Sequence, residues 1–126
     1  MRVMGENDVL LARYTVAAAV FLSASAASAV EDTTLSADRM LPACRAFIAD
    51  NAPDEIDAVF GAGRCIGLMQ GLGYASRLFG VCPPDEVTLA QKARVAVIYV
   101  EARPERMLED FRVLAIEAMQ KAWPCT

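Results

Sequence analysis

The sequence predicts an all-α fold, a small four-helix up-down bundle stapled by two disulfides. Three observations carry that expectation. Apolar residues recur at three- and four-residue intervals in four stretches after Val30. No stretch alternates polar and apolar residues for long enough to argue for a sheet. All four cysteines, Cys44, Cys65, Cys82 and Cys125, lie in the same part of the chain, and an even count in a small exported protein reads as a disulfide framework.

Export is read from residues 1–29. Thr15–Leu22 is a short apolar run, followed by small residues that end in Ala27-Ser28-Ala29, the pattern of a secretory signal with an A-x-A cleavage site. An anchoring helix is the alternative reading. The run falls well short of the roughly 20 apolar residues that a membrane span needs, and Glu31 and Asp32 follow it without a stop-transfer pattern, so no stable membrane insertion is expected after cleavage. Glu6 and Asp8 dilute the charge of Arg2 and Arg13, which makes Met4 an alternative start. Cleavage after Ala29 leaves 97 of the 126 residues, 30–126, enough for one domain.

The first helix is expected from about Ser36, a candidate N-cap, to Asp50, with Met40, Cys44, Phe47 and Ile48 on its apolar row. Asn51-Ala52-Pro53 breaks it. The second runs from about Asp57 to Phe79, where Cys65, Leu68, Met69, Leu72, Ser76 and Phe79 share a face and Gly80 is the stop signal. Thr88-Leu89-Ala90-Gln91 is a capping box that opens the third, whose buried face is Leu89, Ala93, Ala96, Val97 and Val100. Val95, Ile98 and Tyr99 widen that apolar arc. The fourth helix is expected to start after Pro104, bury Leu108, Phe111, Ala115, Ala118 and Ala122, and end at Pro124.

Sequence spacing alone allows three cysteine pairings. Antiparallel packing chooses among them. In a hairpin about Pro53, Cys44 and Cys65 differ in height by only about 3 Å at 1.5 Å rise per residue. Helices two and four of an up-down bundle run the same way, so Cys82 and Cys125, each just past a helix end, share a pole. The pairing is Cys44 with Cys65 and Cys82 with Cys125.

Gly63, Gly67, Gly71 and Ala75 draw a stripe of small residues down the second helix, the mark of a tight helix crossing. Packing against another helix of the same chain is one reading, and a dimer seam is the other.

Catalytic signatures are missing. The chain has no histidine, which removes the usual general base and the Ser-His and Cys-His pairs. No C-x-x-C pair supplies zinc-ligand spacing or a redox motif. Gly61-Ala62-Gly63 and Gly71-Leu72-Gly73 follow no strand and complete no phosphate-binding motif. Glu101 with Glu105, and Asp85 with Glu86, read as solvated carboxylates, and Trp123 and Tyr99 as core or rim. No enzyme, metal site or cofactor is expected. After Val30 there are 14 acidic and 10 basic residues with the signs interspersed, which argues against nucleic acid as a partner.

The stretch "VCPPDEVTLAQKARVAVIYVEARPERML", followed by "VLAIEAMQKAWPC", resembles the second half of the Rap/Tai immunity proteins of type VI secretion. The matching positions are Cys65, Gly73, Tyr74, Cys82, Pro84, Val87, Thr88, Gln91, Tyr99, Pro104, Glu105, Pro124 and Cys125. An aromatic that commonly precedes the turn cysteine in that family is Val81 here. The resemblance implies a helical, often dimeric periplasmic protein whose partner is a cognate effector toxin, a peptidoglycan amidase, which it binds and inhibits. A periplasmic acid-stress chaperone like HdeA is the rival expectation, and the wide apolar arc of the third helix would suit it. For the partner contact the sequence offers Pro84, Asp85 and Glu86, an acidic turn rooted by Cys82, since a stiff loop loses little entropy on binding. The Arg103–Arg106 turn at the opposite pole is the second candidate. Intact-mass analysis of the exported protein is expected to show cleavage after Ala29 and four fewer protons than the reduced chain. Free thiols at all four cysteines would contradict the framework.

Overall fold

The computed structural model describes residues 33–126, so the expected export signal at 1–29 lies outside the described residues. A short 3-10 turn, Thr33–Leu35, leads into α1 (Ala37–Ile48) and then α2 (Ile56–Tyr74), which ends in a second 3-10 turn, Ser76–Phe79. α3 (Leu89–Glu101), a third 3-10 turn at Pro104–Arg106 and α4 (Phe111–Ala122) complete the domain. Among the described residues there is no strand, only isolated bridges that pair Ser36 with Asp110 and Val81 with Pro124. α1 packs along α2, α3 packs along α4, and α1 lies across α3 to join the two hairpins.

Both disulfides have the expected pairing, Cys44 with Cys65 and Cys82 with Cys125. They occupy different surroundings. Cys44 and Cys65 are fully buried among Met40, Met69, Val97, Val100, Phe111 and Leu114, whereas Cys82 and Cys125 lie at an exposed pole. Closing loops of 21 and 43 residues is worth about 3 and 4 kcal/mol in the chain-entropy model.

The helix ends show which local signals were sufficient. Thr88 and Gln91 form the full capping box: the Gln91 amide donates to Thr88 Oγ1 at 3.2 Å, and the Thr88 amide donates to Gln91 Oε1 at 2.7 Å. Gly80 ends the second helical stretch in the left-handed region at φ 70°, where a side chain would be strained. The following amide, of Val81, bonds back to the Ser76 carbonyl at 2.9 Å. That reversal turns Val81 into the core, where it is fully buried.

The N-terminus of α1 and the start of α4 depart from expectation, and one cause explains both. Ser36 occupies the cap position, but its hydroxyl accepts no amide bond and donates within its own turn, toward the Thr33 carbonyl at 2.8 Å or the Asp38 carboxylate. The exposed first-turn amides of a helix need acceptors. Here the Ala37 amide donates to the Glu109 carbonyl and the Asp38 amide to the Met107 carbonyl, each at 2.8 Å. Residues 107–110 are therefore laid alongside α1 and cannot be helical. α4 starts later than the sequence suggests, at Phe111, with Asp110 as its N-cap accepting from the Arg112 amide. Leu108, expected in the core, is 86% exposed in this segment, and Ala122 at the other end of α4 is exposed as well. The remaining expected residues of α4, Phe111, Ala115 and Ala118, are buried.

The close crossing of α1 on α2 also falls at a position other than the predicted stripe. A Cβ built on Gly61 would lie 3.3 Å from the Ala43 Cα and 3.4 Å from its Cβ. Built on Gly63, Gly67 or Gly71, it would meet nothing within 4 Å. No element of the domain packs on these three glycines. The physical reason is register: at 3.6 residues per turn they lie opposite Cys65, Met69 and Leu72, the residues α2 buries. Gly61→Leu is expected to wedge α1 from α2 beside the Cys44–Cys65 bond and to cost about 1–3 kcal/mol in thermal or urea unfolding. An unchanged midpoint would show that the crossing tolerates a side chain.

Candidate functional site

The turn between α2 and α3 is fixed at its root from several directions. The Cys82–Cys125 bond ties it to the chain beyond α4. The Cys82 amide donates to the Trp123 carbonyl at 2.8 Å, and the Cys125 amide donates to the Gly80 carbonyl at 3.1 Å. Gln120 Nε2 donates to the Phe79 carbonyl at 2.7 Å. Two consecutive prolines, Pro83 and Pro84, follow, the Val87 amide closes a turn onto the Pro84 carbonyl at 3.1 Å, and the capping box of α3 begins at once. Pro84, Asp85 and Glu86 are left exposed at the tip. Their backbone has few conformations to lose, which lowers the entropic cost of binding.

Neither Asp85 nor Glu86 forms an ion pair among the described residues. Behind the tip lies a polar depression of about 250 Å³, walled by Ser76, Arg77, Pro83, Asp85 and Lys92. No hydrogen bond joins Ser76 to Lys92 across it. A wider groove of about 490 Å³ runs between α1 and the start of α2, walled by Arg39, Glu55, Asp57 and Arg64. Among the described residues no cluster of cysteine, aspartate and glutamate could hold a metal ion.

The second candidate turn, at the opposite pole, has both of its arginines committed internally. The Arg103 guanidinium lies 3.6 Å from the centroid of the Tyr99 ring and donates to the Tyr99 carbonyl at 2.8 Å. Arg106 spans two carboxylates, reaching Glu109 and Glu117 at 2.6 Å each. Tyr99 donates its hydroxyl to the same Glu117 at 2.9 Å, which ties α3 to α4. The two turns thus differ in kind: free carboxylates on a stiff tip at one pole, arginines spent in a structural network at the other. Only a structure could separate them, because the partners of Arg106 lie three and eleven residues away with nothing in the spacing to select them.

The network sets pKa values. Arg106, then the Tyr99 hydroxyl, hold the Glu117 carboxyl down at about 2, and Arg106 also lowers that of Glu109. A carboxylate depressed in the folded state stabilises it above the ordinary pKa and loses that contribution as pH falls through the folded value. For Glu117 the window runs from about 4.5 down to about 2. The melting temperature is expected to fall with acid across that window, less steeply at high salt because the groups are partly exposed. Glu117→Gln is expected to flatten this part of the profile, measured by circular dichroism at a series of pH values. An unchanged slope would remove the network from the acid response.

The helical segment that carries both turns and both disulfides matches known sequences as a unit. A family model described as Rap1a immunity proteins covers residues 36–125, from the cap position of α1 to the last cysteine. No curated protein matches the chain, and no solved structure does. The model spans more than half of the chain and all four helices. The chain belongs to the Rap1a immunity protein family.

Proposed function

We propose that this protein is a non-catalytic periplasmic inhibitor that binds an effector toxin, a peptidoglycan amidase delivered by type VI secretion, and occludes it with the Pro84–Glu86 turn. Membership of an immunity family implies a cognate secreted effector as the partner. The observation that carries the reading beyond that is the turn itself, a rigid tip with two unpaired carboxylates. An inhibitor of this kind needs shape and charge held in place and no chemistry of its own.

The same bonds support the proposed compartment. Disulfides persist outside the reducing cytosol, and the described part of the chain commits all four cysteines to them. No helix among the described residues is long and apolar enough to cross a membrane. Together with the signal expected at 1–29, the disulfides support a periplasmic location, where a toxin acting on peptidoglycan would meet the domain. The chaperone reading draws on no motif in the chain, and the family match supports immunity over it.

Reversing both acids, Asp85→Lys with Glu86→Lys, tests the assignment. Helical content and melting curve are expected to be unchanged, affinity for the cognate effector to fall at least about tenfold, or 1.4 kcal/mol, and killing to be restored. Unchanged affinity would move the contact elsewhere, with the Arg103–Arg106 turn next. Failure of the unaltered protein to bind that effector would overturn the whole reading.

A further inference from the structure

Two cations behind the α2–α3 turn are used neither by the fold nor by the proposed contact. The polar depression of about 250 Å³ there is walled by Ser76 and Arg77 from the 3-10 turn after α2, by Lys92 from the start of α3, and by Pro83, Pro84 and Asp85 from the turn itself. Among the described residues, the side chains of Ser76, Arg77 and Lys92 form no hydrogen bond and no ion pair. An ammonium carries three N–H donors and a guanidinium five. The one carboxylate on the wall, Asp85, pairs with neither cation, and the prolines and the Cys82–Cys125 bond fix its backbone at the tip. The hollow is thus rich in charged donors that nothing in the chain accepts.

Lys92 makes the point most sharply. The chain has one other lysine, Lys121, whose ammonium lies 5.1 Å from the centroid of the Tyr99 ring. Lys92 stands within the first four residues of α3, where the positive end of the helix dipole opposes a cation, and it is only partly exposed. Its ammonium reaches the last turn of α2 instead: a Cβ built on Gly73 would lie 3.9 Å from Lys92 Nζ, so the bare backbone there gives it room. The negative end of the α2 dipole offsets part of the cost without supplying an acceptor. A partly buried charge with unmade hydrogen bonds favours any group that completes them. A carboxylate does so for both cations at once, since it is negative and has two oxygens that accept charge-assisted bonds.

We propose that Ser76, Arg77 and Lys92 form a carboxylate-binding subsite that takes one acidic side chain of the effector, beside the contact made by Pro84–Glu86. For its partner this rests on the proposed inhibition, which it deepens. Continuity with that contact and charge complementarity select the occupant. The pole shows carboxylates at its tip and cations behind them, and a partner surface with the reverse order docks in one register only.

Carbodiimide joins an amine to a carboxylate that touches it. In the oxidised complex it is expected to link Lys92 to one aspartate or glutamate of the effector, located by peptide mapping, with Lys121 as the internal control. Arg77→Gln and Lys92→Met are each expected to leave the melting curve unchanged and to weaken effector binding about tenfold or more. The double variant is expected to lose less than the product of the two, because both cations hold one carboxylate. If a variant folds poorly, the link in the unaltered complex decides the matter. A complex that forms without that link would overturn the subsite and leave the inhibition standing, as would full affinity in the folded double variant. A link from Lys92 to Asp85 within the free chain would overturn it by giving the cation an internal partner. Failure of the unaltered protein to bind the effector would instead overturn the inhibition, and the named partner with it.

Discussion

The Cys44–Cys65 bond crosses the middle of a core that has little side-chain volume of its own. Six of the residues buried there are alanines, and among the described residues Phe111 is the only buried aromatic. Such a core lets helices approach closely but removes little apolar surface from water, and a domain of this size has a narrow margin of stability. The bond fixes α1 on α2 at the height where Gly61 admits Ala43. Everything else is placed relative to that crossing, because α1 in turn carries α3 and its own N-terminus receives the segment before α4.

The second bond does a different job. Cys82 and Cys125 contribute no buried contact and instead hold the α2–α3 turn against the end of α4. Backbone bonds on both sides of it, from Cys82 to Trp123 and from Cys125 to Gly80, make the pole a small woven patch. Packing of the core and tethering of the α2–α3 turn thus rest on separate disulfides. The turn is rigid because of what surrounds it, and its charges are available because none of those surroundings uses them.

How far the sequence foretold this depends on the range of each interaction. The α3 capping box and the Gly80 stop are written in adjacent residues, and both disulfides could be paired because helix order fixes their heights. The N-terminus of α1 could not be read: its acceptors are carbonyls some 70 residues away, which have no side-chain signature, and the same segment delays α4 and leaves Leu108 in solvent. The glycine stripe illustrates a different limit. Spacing reveals that one face of α2 is small, and only the register of Cys65, Met69 and Leu72 tells that this face points outward.

The dependence of α1 on residues 107–110 bears on how the chain becomes a protein at all. A helix whose opening turn is completed by the last fifth of the sequence cannot mature while the chain is still being made, and the bridges from Ser36 to Asp110 and from Val81 to Pro124 tie beginning and middle to the end in the same way. Contacts of such long sequence separation slow folding. Were the chain exported as proposed, it would gain from that delay, since the nascent N-terminal half would have no finished structure to jam the passage. The architecture sets its own clock: it waits for the final turn of chain, and for an environment that can oxidise it.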